Sequence, residues 1–316
     1  MSAPAGSSGQ AAVAARAAAF APDKPVAGLA LMLGFCMLVP LSEAYAKQAA
    51  MASVPIVVIT FARFLGQSVM MAPFVAHRAS TWRMPPGLWG LIVLRSLLHA
   101  LSTALIFLAF RYMPLAEAVA IGYLMPFVVL LLGWAVMGEA VGPRRLAACT
   151  VGFIGTLLIF QPSFAEVGWP ALLPLSVAVI FAVFQLLTRA LSRRVGPVQM
   201  QAVGGTTVTL MLLPAVLLVP GTQAALEPSA LWALAGVGVF GALGHLAFTW
   251  ALKFAPASTV APLQYIEIPF AVLFGWWFFG DLPGALATFG IAVTIAAGVY
   301  VMLRERAIAR QRATPG

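Results

Sequence analysis

Apolar runs bounded by charge, Pro or Gly divide the chain into ten segments, at 26–48, 54–76, 88–111, 114–137, 143–161, 168–188, 199–219, 230–252, 257–279 and 285–303. Each is close to the ~20 residues that a helix needs to cross a bilayer. The connections are short and leave no room for an inserted soluble domain. The pattern predicts an all-α integral membrane protein with ten transmembrane helices. Residues 1–25 are rich in Ala, Ser and Gly, with Arg16 and Asp23-Lys24-Pro25 interrupting them. They read as a disordered cytoplasmic tail rather than a signal peptide, and 304–316 reads as a basic cytoplasmic tail.

A second pattern lies over the first. The stretch Arg111 to Gly142 returns at Lys253 to Gly284, 142 residues on and without a gap. Arg111 answers to Lys253, Pro114 to Pro256, Tyr123 to Tyr265, Gly133-Trp134 to Gly275-Trp276, Gly138-Glu139 to Gly280-Asp281 and Gly142 to Gly284. The same offset carries Lys47 onto Arg189 and Pro55 onto Pro197. One offset shared from the first segment to the ninth predicts two five-helix repeats, 26–161 and 168–303. Five is odd, so the second repeat enters from the opposite side of the membrane. This is an inverted-topology repeat with a pseudo-two-fold axis in the membrane plane, an architecture suited to alternating access.

Composition agrees. The 316 residues are 62% hydrophobic and 9% charged, and the mean hydropathy is +0.99; soluble domains carry about 25% charged residues. A net charge of +9 could suggest a nucleic-acid partner, but the basic residues sit in short connections between apolar runs, so no nucleic acid is expected. With the N-terminus inside, fourteen Lys and Arg fall on the inner side, two (Lys47 and Arg111) outside, and two (Arg63 and Arg95) within the membrane. That bias predicts a multi-pass protein of the cell inner membrane with both termini in the cytoplasm. Cys36 and Cys149 lie in apolar runs and read as buried free thiols.

The chain resembles the drug/metabolite transporter superfamily in its ten-helix EamA-type branch. The resemblance rests on Arg63-Phe64-Leu65-Gly66-Gln67, Pro114-Leu115-Ala116-Glu117-Ala118 and Gly138-Glu139 in the first half. Ala255-Pro256-Ala257-Ser258, Tyr265 and Gly280-Asp281 carry it in the second. It covers about 26–303 and implies transport of a small solute, with neither cargo nor direction specified.

Ionisable residues inside a bilayer are costly and are functional candidates for that reason. Arg63 lies ~14 Å from the outer end of its helix, with Gln67 one turn further on the same face. Arg63 suits a substrate carboxylate or phosphate, or a structural ion pair with a neighbouring helix. Arg95, His99 and Ser102 form a polar stripe with Thr103 beside it, although Arg95 could instead snorkel to the inner interface. Gln264, Tyr265 and Glu267 cluster between Pro262 and Pro269, with Glu267 ~15 Å from the inner end. Glu267 could pair with Arg63, meet a substrate ammonium or exchange a proton. Pro269 returns no backbone bond and predicts a local helix break. Tyr123 and Tyr265 are repeat mates. The expected substrate-binding set is therefore Arg63, Gln67, Arg95, His99, Tyr123, Gln264, Tyr265 and Glu267, with Glu267 and His99 as candidate proton carriers. Glu43 is expected to close on Lys47 four residues later, with a role at the entrance as the second reading; Glu117 is expected to sit favourably in a helix first turn, and His245 to be a lesser cavity candidate.

No nucleotide-binding G-x-x-x-x-G-K-[ST], H-E-x-x-H, G-x-S-x-G or paired-Cys motif occurs. Three histidines, one of them the loop residue His77, do not suggest a metal site. The reading is a secondary-active or facilitative transporter of an amino-acid-like or other zwitterionic or anionic metabolite. No catalytic residue, cofactor, metal or obligate protein partner is implied; the partners are the solute and the lipid bilayer. The alternative is an intramembrane enzyme acting on a lipid or lipid-linked substrate, for which His99 and Ser102 supply a nucleophile–base pair but no third orienting group.

Overall fold

The computed structural model describes residues 25–76, 85, 87–125, 127–128, 132, 143–191, 194–254 and 261–313. The expected tail before Pro25, His77, Glu139 and the Ala255 to Ser258 motif lie outside the described residues. So do the side chains of Arg189, Pro262 and Cys149.

Among the described residues are ten α-helices and three short 3-10 turns. We number the helices α1 (Pro25–Met51), α2 (Ile56–Ala76), α3 (Trp89–Ala109), α4 (Leu115–Gly122), α5 (Pro143–Val167), α6 (Leu172–Leu191), α7 (Pro197–Leu218), α8 (Pro228–Phe254), α9 (Glu267–Phe279) and α10 (Ala285–Ala313). Seven of them, α1 to α3 and α5 to α8, are long and apolar enough to cross a membrane. The apolar part of α9, with the turn before it, and that of α10 are shorter.

The two central helices are interrupted. Residues 114–137 were expected to form one continuous helix, but α4 stops at Gly122, Tyr123 and Leu124 form a turn, and helical geometry resumes at Met125. In the second repeat a 3-10 turn, Ala261–Ile266, gives way to α9 at Glu267. The 142-residue offset places the two breaks at the same point. In the second repeat a physical cause is proline: Pro269 has no amide hydrogen to return to Tyr265, four residues back.

Packing follows the repeat. α8 packs on α1 and α2, and their repeat counterparts do the same: α3 packs on α6 and α7. α9 contacts α1 as α4 contacts α6, while α2–α7, α4–α9 and α5–α10 pair with their own mates. Lipid offers no hydrophobic drive for helix association, so close approach of small residues counts for more. At the α2–α8 crossing, a Cβ added at Gly66 would lie 2.5 Å from the Gly238 backbone.

The largest apolar core fills one end of the bundle. Val54, Ile59, Phe110, Leu115, Ile121 and Ile268 are at most 1% exposed within it. This end carries the α1–α2, α3–α4, α5–α6, α7–α8 and α9–α10 connections, and it seals one mouth of the central cavity.

Candidate functional site

A cavity of about 130 Å³ lies at the middle of the bundle, walled by α1, α2, α3, α4, α6, α8 and the start of α9. Its polar groups include Glu43, Arg63, His99, Tyr123, His245, Gln264 and Glu267, and its aromatic walls are Phe35, Phe107 and Phe181.

The breaks in α4 and α9 build one wall. Tyr123 caps α4 with a non-helical backbone, and Glu267 opens α9. The two therefore face one another across the repeat axis, and the Tyr123 hydroxyl donates to Glu267 Oε2 at 2.6 Å. Gln264 lines the cavity beside them. Tyr265 lies behind, its ring 5.4 Å from that of Tyr123 and tilted by 44°.

Opposite stands Arg63, 4% exposed. The α2–α8 crossing brings helix 8 so close that a Cβ at Gly241 would fall on the Arg63 guanidinium. Gly241 is thus the residue that makes space for the charge. Arg63 Nη1 donates to Gln67 Oε1 at 3.5 Å, a marginal length. Gln67 does not line the cavity. It donates to the Gln201 carbonyl at 2.8 Å and to Gln201 Oε1 at 3.1 Å. Gln201 in turn donates to the His245 carbonyl at 3.2 Å and to Thr249 at 3.0 Å. This chain of amides joins α2, α7 and α8 and fixes the face that carries Arg63.

His99 lines the cavity, and its Nε2 lies 3.0 Å from His245 Nε2. Arg95 is buried, but it does not reach the cavity. It neither snorkels nor meets the site: its Nε donates to Thr188 at 2.8 Å, and its guanidinium lies 4.6 Å from the centre of the Phe184 ring. Phe184 separates it from His99.

One expectation about charge pairing needs correction, and one open alternative is not met. Glu43 does not close on Lys47; Lys47 pairs with Asp281 at the sealed end, and Glu43 turns into the cavity. Nor does Glu267 pair with Arg63, since its carboxylate is held by Tyr123. The sequence reads Glu43 mainly as a partner of Lys47 and leaves it out of the expected binding set, and it does not single out Gln201. For Glu43 a signal was present: Phe35, Val39, Ser42 and Glu43 fall at i, i+4, i+7 and i+8, one face of α1. Glu117, by contrast, is tied to α5, where Ser163 donates to its carboxylate.

Three buried polar atoms find no hydrogen-bond partner among the described residues: Glu43 Oε2, Arg63 Nη2 and His245 Nδ1. All three belong to residues of this one cavity. No group of three or more His, Cys, Asp or Glu among the described residues is placed to hold a metal ion.

The model of the EamA-like transporter family matches residues 26–161 and again 168–304. A riboflavin transporter of Rhizobium johnstonii is 33% identical over 205 residues, 61% of this chain and 63% of its own. A riboflavin transporter of Brucella anthropi is 28% identical over 265 residues, 81% of this chain and 91% of its own. A pseudopaline exporter of Pseudomonas aeruginosa is 28% identical over 70% of this chain and 75% of its own. A solved crystal structure with 22% identity superposes with a TM-score of 0.62 over 89% of this chain and 98% of that one, which shows the fold.

Proposed function

We propose that this chain, which belongs to the EamA-like transporter family, moves a small organic metabolite across the membrane by alternating access through the central cavity. The observation that carries this reading is the set of three unpartnered atoms on Glu43, Arg63 and His245. An unsatisfied buried polar group costs about 1–3 kcal/mol, and a charged one more. Three around one cavity are explained if a solute completes them.

Arg63 supplies a donor and Glu43 an acceptor, and they are not bridged to each other. The fitting solute therefore carries both an acceptor and a donor group. Zwitterionic metabolites satisfy this, and so does a flat heterocycle with an imide edge lying against Phe35, Phe107 and Phe181. Riboflavin is of the second kind and is the first solute to try, given the two relatives named for its transport.

The Lys and Arg bias supports termini in the cytoplasm and a Lys47–Asp281 end that faces outside. In that orientation the conformation described is closed to the exterior. Glu43, Arg63, Tyr123, His245, Gln264 and Glu267 contact the solute, His99, Gln67 and Tyr265 support those contacts, and Arg95 braces the wall. Glu267 is the group assigned to proton exchange.

The test is flux into proteoliposomes of riboflavin and, separately, of an amino acid such as glutamate. Wild-type protein should carry at least one of them. Arg63→Ala should cut that flux at least tenfold while the protein stays folded. Unchanged flux in Arg63→Ala would remove the cavity from the transport path.

A further inference from the structure

His99 and His245 come from α3 and α8, helices that are mates in the repeat, yet the two residues are not mates themselves. The 142-residue offset sets His99 against Gly241 and His245 against Thr103. The pair therefore does not follow from duplication of the scaffold. The Nε2 atoms lie 3.0 Å apart, the ring centres 4.8 Å apart and the planes 24° apart. The planes are close to parallel, and the two Nε2 atoms are within hydrogen-bond distance. Phe184 stacks on His99 at 4.7 Å, Phe64 meets it edge-on at 5.1 Å, and Phe35 lies 5.9 Å from His245. The His245 carbonyl is held by Gln201 and Thr249. Both rings are thus fixed from several sides.

A neutral imidazole has one N–H and one lone pair. A bond between two Nε2 atoms requires one ring to carry its proton on Nε2 and the other to carry it on Nδ1. The two histidines must therefore be opposite tautomers. The atom left over on His245 is Nδ1, which is buried and without a partner on a ring that lines the cavity. Its character is not independent. If His99 donates, His245 Nδ1 bears the proton and offers a donor. If His245 donates, Nδ1 offers a lone pair.

We infer that His245 Nδ1 is a solute-binding atom whose hydrogen-bond sense is set by the tautomer of His99, which acts as a positioning residue. The inference rests on the transport reading above and deepens it. A pair that can present either sense at a fixed point suits a neutral polar edge, such as the carbonyl or N–H of a lactam or imide ring, rather than a bare charge. Arg63 and Glu43 then take the groups on either side.

The test begins with protein in lipid nanodiscs, labelled with 15N-histidine and read by long-range 15N–1H correlation. Signals are assigned from His99→Phe and His245→Phe. The ligand-free protein should show one of the two as the Nε2–H tautomer and the other as Nδ1–H. In His99→Phe, His245 should lose its single form and populate both. Two rings in the same tautomer, or a His245 signal indifferent to His99, would overturn the proposal.

Transport supplies the second readout, with riboflavin as the probe. His99→Phe should raise KM about tenfold with kcat within about twofold, and His99→Gln, whose amide can donate or accept, should recover part of the loss. A fall in kcat with KM unchanged would overturn the solute contact. Wild-type protein that carried no riboflavin would count against the choice of solute above, and the ligand-free spectrum would still decide the tautomer pair.

Discussion

Lys47 of the first repeat donates to Asp281 of the second, and this is the ion pair found among the described residues. Lys47 is 6% exposed; it also reaches the Met113 carbonyl at 3.5 Å and lies 4.6 Å from the centre of the Phe279 ring. Asp281 is presented by Gly280, whose φ of 71° closes α9 in the left-handed region that favours glycine. The pair joins the repeats at the sealed end, so it stabilises that closure relative to a state in which the repeats part.

Lys47→Ala or Asp281→Ala should therefore open this end. A partly buried pair contributes about 1–2 kcal/mol, between the values for exposed and buried pairs, which corresponds to a roughly 5–30-fold rise in the open fraction. The readout is labelling of a cysteine introduced at Val54 in a background lacking Cys36 and Cys149. The double swap Lys47→Asp with Asp281→Lys should restore slow labelling. Labelling that stays at the wild-type rate in both single variants would show that the apolar core seals the end without the ion pair.

Most of the scaffold was legible in the sequence because its signals are covalent or periodic. Apolar runs marked the helices, the offset between Tyr123 and Tyr265 marked the repeat, and Pro269 marked the break before α9. The pairing of side chains was not legible, because it depends on which helices meet. Glu43 and Lys47 stand at ideal helical spacing, yet α9 brings Asp281 nearer to Lys47 and leaves Glu43 to the cavity. Arg95 and His99 share one helix face, yet Phe184 from α6 comes between them. The asymmetry of the repeat did point to the site: Glu267 replaces Met125, and Gln264 replaces Gly122, beside the matched tyrosines.

Glu267 accepts from the Tyr123 hydroxyl at 2.6 Å, so the roles of charge and hydrogen bond can be separated. Glu267→Gln keeps an oxygen for Tyr123 and removes the ionisable group. If Glu267 exchanges the coupled proton, this variant should still equilibrate solute but lose its response to an imposed pH gradient. Tyr123→Phe should keep the response and raise KM by a few-fold, since one neutral hydrogen bond contributes about 0.5–1.5 kcal/mol. Equal gradient responses in wild type and Glu267→Gln would remove Glu267 from coupling.

Gly241 makes room for Arg63, and any side chain there collides with the guanidinium. Gly241→Ala should mimic Arg63→Ala, raising the KM or Kd of the carried solute tenfold or more, about 1.4 kcal/mol. The fold should survive, since Ala favours helix over Gly. Ligand-free melting temperature and solute titration check the two halves of this expectation. Unaltered affinity would mean that Arg63 can retreat without cost to the site.

Arg95 offers the contrast that separates bracing from binding. Its Nε donates to Thr188, and its guanidinium covers Phe184; a desolvated cation–π contact contributes about 2 kcal/mol. Arg95→Lys keeps the charge but loses the planar stacking and the fixed fork. Both Arg95→Lys and Arg95→Ala should therefore lower the melting temperature, the second more than the first. Solute KM should stay within about threefold of wild type, because a ring stands between Arg95 and the cavity. A tenfold rise in KM without loss of stability would instead mean that Phe184 moves aside during the cycle and admits Arg95 to the solute.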